Sequence, residues 1–118
     1  MEYMLLIYEN EAQAKARSKA EQEEHFVGYM SFTESVRKSG HLKGGQPLEG
    51  VSTATTVRVK DGKTLRTDGP FAETREQLGG FYVIEAKDLD EAVGIAARIP
   101  GAKTGSIEVR PIMKIPGM

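Results

Sequence analysis

The chain contains no cysteine among its 118 residues. This absence excludes disulfide bonds, thiolate nucleophiles and every metal site or cluster that depends on cysteine ligands. A cysteine-free composition is typical of a reducing compartment, and we expect a cytoplasmic protein.

Net charge and long hydrophobic runs are scarce as well. Sixteen basic and seventeen acidic residues leave a net charge of −1, so no overall field attracts nucleic acid or an anionic membrane, and we expect neither as a partner. The run Met4–Ile7 is too short to span a bilayer, and Glu9, Asn10 and Glu11 follow it at once. We therefore expect neither a signal peptide nor a transmembrane segment.

Motifs for common cofactors are also missing. No GxGxxG or HExxH occurs, and the two histidines, His25 and His41, lie sixteen residues apart. The segment Gly101–Thr104 ends like a phosphate-binding loop, but Ala102 stands where that motif requires glycine. The sequence thus implies no metal and no organic cofactor.

The length fits a single domain, residues 1–118, with one hydrophobic core. Tyr3–Tyr8 is nearly all apolar and predicts a central strand. Ser18 and Glu21 have the spacing of a capping box, and Gly40 supplies a stop, so a helix of about five turns lies between them. Its predicted buried stripe is Phe26, Tyr29, Met30, Thr33, Val36 and Arg37.

The rest of the chain alternates strands with a second helix. Asp61-Gly62 predicts a hairpin turn between strands Thr55–Lys60 and Lys63–Thr67, and further strands are predicted at 80–86 and 106–111. After Asp88 a second helix is predicted to bury Leu89, Ala92, Val93, Ala96 and Ala97. This order predicts an α+β, ferredoxin-like fold, with two helices on one face of an antiparallel sheet.

Two helices cover only one face of such a sheet. Either Tyr82 and Ile84 or Phe81 and Val83 face away from the helices, so the far face is apolar in both registers. The same face of a second chain would cover it, and we expect a homodimer through the sheet faces.

The run Asp68–Glu85 concentrates most of the chemistry of the sequence in one place. In a structural interpretation Asp68, Gly69 and Pro70 form a turn and Phe71 fills the core. In a functional interpretation Asp68 accepts a proton or anchors a ligand, while Arg75 binds an anionic group and Glu73 is a second carboxylate. A turn does not need the charged residues, so both interpretations stay open.

Histidine and tyrosine offer further candidates, each with an ordinary structural alternative. His25 lies at the edge of the apolar stripe, where a half-buried helix residue is the simpler interpretation, although histidine is the side chain that titrates near neutral pH. His41 follows the end of the helix, where a cation favours the helix dipole. The tyrosines, Tyr29 among them, are typical of a core or a dimer face.

Several segments in order resemble the DGPF branch of the YCII-related family. The matching segments are Tyr3–Tyr8, Ala54–Arg58, Thr67–Glu73, Glu76–Tyr82, Asp90–Ala92 and Gly105–Pro111. The resemblance implies a ferredoxin-like fold of the dimeric α+β barrel type. In the wider group a helix histidine and a downstream aspartate are proposed as a catalytic pair. Here the histidine position falls on Tyr29, with His25 one turn earlier, and Asp68 corresponds to the aspartate.

The resemblance leaves two classes of function open. The first is a homodimer that binds a small polar or anionic molecule, or acts on it, in a cleft between the first long helix and the DGPF loop. In this hypothesis Asp68 is the acid or base, His25 assists it, and Arg75, Glu73 and Tyr29 bind the ligand. The alternative is a regulatory or interaction module, because DGPF relatives resemble companions of extracytoplasmic-function sigma factors.

Overall fold

The computed structural model describes residues 1–118 and contains six strands and three helices. The strands are β1 (Glu2–Glu9), β2 (Leu42–Pro47), β3 (Thr55–Lys60), β4 (Lys63–Asp68), β5 (Gln77–Glu85) and β6 (Ser106–Pro111). The helices are α1 (Glu11–Lys15), α2 (Lys19–Lys38) and α3 (Leu89–Ala96).

Four of the strands form one antiparallel sheet in the order β2-β5-β1-β6. This is the strand order of a ferredoxin-like fold, in which β3 and β4 form a separate hairpin between the second and third strands. The predicted α+β fold class is confirmed.

The registers decide which side chains of the sheet lie under the helices. Tyr3, Leu5 and Ile7 of β1 are buried, and Tyr3 and Leu5 pair with Ile84 and Tyr82 of β5. Phe81 and Val83 therefore lie on the opposite face, because successive side chains of a strand alternate between faces. The register that the sequence left open is thus settled.

Helix α2 begins and ends as its sequence predicts. The Ser18 side chain accepts a hydrogen bond from the Glu21 backbone, and the Glu21 carboxylate accepts one from Ser18 N–H at 2.9 Å. The Ser18 backbone N–H, and to a smaller extent the Ser18 side chain, stabilise the charged carboxylate and lower the pKa of Glu21. Gly40, with φ +82°, ends the helical turn.

The predicted buried stripe of α2 is only partly right. Val36 is buried, but Phe26 and Met30 are 65% and 58% exposed, and Phe32, which was not predicted, is buried. The helix is rotated so that Phe32 and Val36 meet the core of the sheet, while Phe26 and Met30 border a cavity.

A similar rotation affects α3, which Asp88 caps by accepting a hydrogen bond from Glu91 N–H. Ala92 and Ala96 are buried as predicted, whereas Leu89 and Val93 are exposed and Ala97 also faces solvent. Ile95 and Ile99 occupy the core instead. Small alanines and two isoleucines let this short helix lie close to the sheet.

The hairpin forms as predicted around Asp61 and Gly62, whose φ angles of +51° and +74° match a type I′ turn. Strand β4 ends at Asp68, and Gly69 then takes a φ of +99°, which side chains disfavour. Phe71 was predicted to fill the core. That prediction is wrong, because Phe71 is 81% exposed on the loop beyond the turn.

No helix in the structure combines the length and apolar composition that crossing a bilayer requires.

Candidate functional site

A cavity of about 560 Å³ lies between α2 and the sheet, at the end where β1 terminates and β5 begins. This volume is within the range of small-molecule sites in proteins. Space remains under the helix because Gly45 and Gly80 of neighbouring strands bring no side chains to the helix-facing side. The side chains around the cavity include Ile7, Glu9, Arg17, Gln22, His25, Phe26, Tyr29, Met30, Thr33 and Tyr82.

His25 and Tyr29 lie on the same face of α2, one turn apart, and their rings pack edge to face with centroids 4.9 Å apart. Beneath them the chain passes through buried Gly101. A Cβ atom at residue 101 would lie 2.7 Å from the Tyr29 hydroxyl, so only glycine leaves room for that hydroxyl. The Tyr29 ring is therefore held between the helix and the turn after α3.

The environment keeps both rings neutral at physiological pH. Burial lowers the pKa of His25, and nearby Arg17 adds to this while Glu9 opposes it. Burial also raises the pKa of Tyr29 to about 12, with the Gly101 backbone opposing that rise. A neutral imidazole accepts a proton, and a neutral phenol donates a hydrogen bond, so the pair can serve acid–base chemistry.

Charge at the cavity is concentrated in the ion pair between Arg17 and Glu9. The guanidinium Nη2 lies 3.1 Å from the carboxylate Oε2, and both side chains are largely shielded from solvent. Helix α1, capped by Asn10, turns the chain so that residues on either side of it meet. Arg17 thus offers a fixed cation beside His25.

A hydroxyl pair between α2 and β5 lies two helical turns beyond His25. Thr33 Oγ1 and the Tyr82 hydroxyl lie 2.7 Å apart, and the Tyr82 ring packs edge to face on Phe32 with centroids 5.1 Å apart. Both hydroxyls border the cavity, where they present donor and acceptor groups to an occupant.

Two of the predicted site residues, His25 and Tyr29, lie together in this cavity. The other three lie outside its walls in one chain. Asp68 pairs with Thr55 at the base of the hairpin, exposed and without an ion pair, and Glu73 and Arg75 are exposed on the following loop. The Arg75 carbonyl oxygen accepts a hydrogen bond from the Asn10 side chain at 3.2 Å.

The sequence reasoning did not single out Glu9, Arg17, Thr33 or Tyr82 as site residues. Glu9 and Arg17 carry opposite charges at the two ends of an alanine-rich segment, and this pattern could have indicated an ion pair between them. Thr33 and Tyr82 carry no comparable signal, because they meet only through the packing of α2 on β5.

A second, more polar groove of about 700 Å³ runs between α2 and the end of α3. Arg98 crosses it, with its guanidinium bonded to the Ser35 hydroxyl and lying 5.7 Å from the centre of the Phe32 ring. No group of three or more potential metal ligands forms a cluster in the chain.

Comparison with known proteins now identifies the family. Residues 1–116 match the YCII-related domain. The chain belongs to the YCII-related family. An uncharacterised protein of Rhizobium meliloti (strain 1021) is 40% identical to this YCII-related protein over 114 residues, covering 95% of this chain and 92% of the relative.

A solved structure shares the fold of this YCII-related chain. It is a 5-chloro-2-hydroxyhydroquinone dehydrochlorinase from Burkholderia phenoliruptrix AC1100 in complex with 2,5-dihydroxybenzoquinone, with a TM-score of 0.58. The likeness covers 96% of this chain and 94% of the enzyme at 14% sequence identity, so it shows the fold alone.

Proposed function

We propose that this YCII-related protein binds a small ring-shaped molecule with hydroxyl or anionic oxygen substituents in the cavity under α2. The observation that carries the proposal is the edge-to-face pair of His25 and Tyr29 in a cavity of about 560 Å³. Phe26, Tyr29 and Tyr82 supply flat apolar surface, and Arg17 supplies a cation for an oxygen substituent. The dihydroxybenzoquinone bound by the dehydrochlorinase of similar fold belongs to this chemical class.

For an enzymatic role, His25 is the residue we propose as the proton acceptor. Its lowered pKa leaves the imidazole unprotonated near neutral pH, which is the form a general base requires. Tyr29 has a pKa of about 12, so it stays protonated and donates a hydrogen bond rather than accepting a proton. Removal of a proton from a ring substituent or ring carbon is the step that this pair supports. Asp68, Glu73 and Arg75 remain sequence-based predictions, since they lie outside the cavity of one chain.

Binding of 2,5-dihydroxybenzoquinone, measured by isothermal titration calorimetry, tests the proposal. We expect saturable binding, and at least about tenfold weaker binding for His25→Ala and for Arg17→Ala, because each removes a group beside the ring. His41→Ala is the matched control: His41 bonds to Ser39 and Glu91 away from the cavity, and its loss should leave the affinity unchanged. Cyclohexane-1,4-diol, which is neither planar nor acidic, should not bind.

Equal affinities for wild type, His25→Ala and Arg17→Ala would overturn the assignment of the cavity. Absence of saturable binding would contradict the proposed ligand class. The acid–base role is tested separately, by exchange of the quinone's ring proton with solvent. If the wild type catalyses this exchange and His25→Ala, with quinone bound, does not, the result would support His25 as the proton acceptor.

We also propose that the protein is a homodimer through the sheet face opposite the helices. Met4, Leu6, Phe81 and Val83 lie on that face and are partly buried, whereas the core residues of α2 and α3 pack on the other face, with Tyr3, Leu5 and Ile7. Light scattering at micromolar concentration should give twice the 12.9 kDa mass of one chain. A mass of one chain would contradict the dimer.

A further inference from the structure

The hairpin of β3 and β4, residues Thr55–Asp68, extends from the body as a two-stranded ribbon. Every strand residue of the ribbon except Thr56 is exposed. Backbone pairing is regular from Thr55–Asp68 to Lys60–Lys63, so the ribbon is a well-formed element and not a loose loop. A two-stranded ribbon without a packed face is marginally stable in water at best, which implies that something covers this one.

One face of the ribbon carries exposed apolar side chains that a partner can bury. Val57 and Val59 are 59% and 71% exposed, and they lie on the same face because they are two residues apart in a strand. Thr64 and Arg66, their cross-strand partners, complete that face. Leu65 is the single apolar strand residue of the opposite face and is 46% exposed.

The chain exposes more surface than a compact domain of its size. Its accessible surface is 8673 Å², whereas a compact monomer of this mass exposes about 6,300 Å². Its radius of gyration is 16.4 Å, compared with about 13.5 Å for a compact domain of this length. The excess is therefore about 2,400 Å² for each chain.

The far face of the sheet alone does not account for that excess. Its four strands contain 8, 6, 9 and 6 residues. They cover an area of roughly 450 Å² in projection. The exposed end of the chain, with Met113 and Ile115, contributes part of the remainder, and the ribbon is the other large projection. If each of two chains buried its excess accessible surface in a dimer, the total buried area would be about 4,800 Å². This area lies within the range of obligate homodimers.

Charge also favours a second copy of this chain as the partner. The ribbon carries four basic residues, Arg58, Lys60, Lys63 and Arg66, and two acidic residues, giving it a net charge of +2. The remainder then has twelve basic and fifteen acidic residues and a net charge of −3. A basic ribbon thus meets an acidic body when it reaches across to another copy.

We infer that the ribbon is a dimerisation arm, whose Val57 and Val59 face packs on a second copy of this chain. The inference rests on the proposed homodimer and adds to it an interface outside the sheet face. No residue of the ribbon lines the cavity under α2.

Two matched double variants test the arm. V57E/V59E places two carboxylates on the proposed contact face, and L65E/T67E places two on the opposite face, so both change the ribbon charge equally. Sedimentation equilibrium should show a dimer dissociation constant at least about 100-fold larger for V57E/V59E than for wild type. L65E/T67E should stay within a few-fold of wild type, and circular dichroism should show both variants folded.

The outcomes separate the arm from the sheet-face dimer. A monomeric wild type overturns both proposals. A V57E/V59E variant that dimerises like wild type overturns the arm and leaves the sheet face standing. Equal weakening by both variants overturns the role of the Val57 face and assigns the effect to charge.

Amide hydrogen exchange of the wild-type protein provides a test that needs no variant. The amides of β3 and β4 should be protected at concentrations above the dimer dissociation constant and should lose protection on dilution below it. Ribbon amides that exchange at unprotected rates in the dimer would overturn the inference. Protection that persists unchanged in the monomer would overturn it too. A dimer whose ribbon gains protection only when a different protein is added would assign the ribbon to that partner instead.

Discussion

Substitution of Gly101 by alanine probes the packing that positions Tyr29. The added Cβ would lie 2.7 Å from the Tyr29 hydroxyl and 3.2 Å from Ile7 Cγ2, which is closer than van der Waals contact allows. Gly101 is buried, and its backbone does not require glycine torsions, so the cost is steric. Overpacking of this kind destabilises proteins by about 1–3 kcal/mol. We expect a loss of that size in the free energy of unfolding, measured by urea denaturation at fixed protein concentration.

A double-mutant cycle shows whether the clash involves the hydroxyl. In G101A/Y29F the hydroxyl is absent and only the contact with Ile7 remains, so the two changes should be coupled by about 1 kcal/mol. Gly94→Ala is the control, because no atom lies within 4 Å of its added Cβ on α3. It should stabilise the protein by up to about 1 kcal/mol through helix propensity. Strict additivity of G101A and Y29F, or wild-type stability of G101A, would show that the Tyr29 hydroxyl does not clash with a side chain at residue 101.

Three further predictions concern ionisation and capping. Absorbance titration at alkaline pH should show one tyrosine ionising near pH 12, and Y29F should remove that step. The stability that Tyr29 contributes is complete below pH 10. It declines above pH 10, because the tyrosine of the unfolded chain ionises first. His25 has a lowered pKa, so the unfolded chain binds a proton more readily than the folded one, and the free energy of unfolding should fall as pH drops below about 6.5. Unfolding measured at several pH values should show that H25Q reduces this dependence on pH more than H41Q does. Ser18→Ala removes the bond to the Glu21 backbone and should cost about 1 kcal/mol in chemical denaturation, whereas an unchanged midpoint would contradict the capping role.

Local signals in the sequence were sufficient for most of the elements, but not for α1 and β2. The capping box at Ser18 and the turn at Asp61-Gly62 act within a few residues, so their effect is readable without the tertiary structure. The fold class followed from the alternation of strands and helices.

Helix orientation was not readable in the same way. Phe26 and Met30 have the spacing of a buried stripe, but burial depends on where the sheet lies and not on the helix alone. The glycines of the sheet leave a cavity at that end, so these two side chains border it. For the same reason Leu89 and Val93 of α3 are exposed, whereas Ile95, and Ile99 just beyond the helix, are buried.

The candidate site was predictable where its residues share one helix. His25 and Tyr29 are four residues apart, so their proximity follows from helical geometry. The ion pair of Glu9 and Arg17 needed the short α1 turn to form. Asp68 and Arg75 are close in sequence to each other, but the turn at Gly69 and the loop after it leave them outside the cavity of one chain.

Ligand binding in the cavity under α2 is tested most directly by titration of the ¹⁵N-labelled protein with 2,5-dihydroxybenzoquinone, followed by backbone amide shifts. We expect saturable shifts concentrated at His25, Tyr29, Gly80 and Tyr82, around that cavity. Shifts confined to Ser35 and Arg98 in the groove beside α3, or no saturable shifts at all, would contradict ligand binding in that cavity.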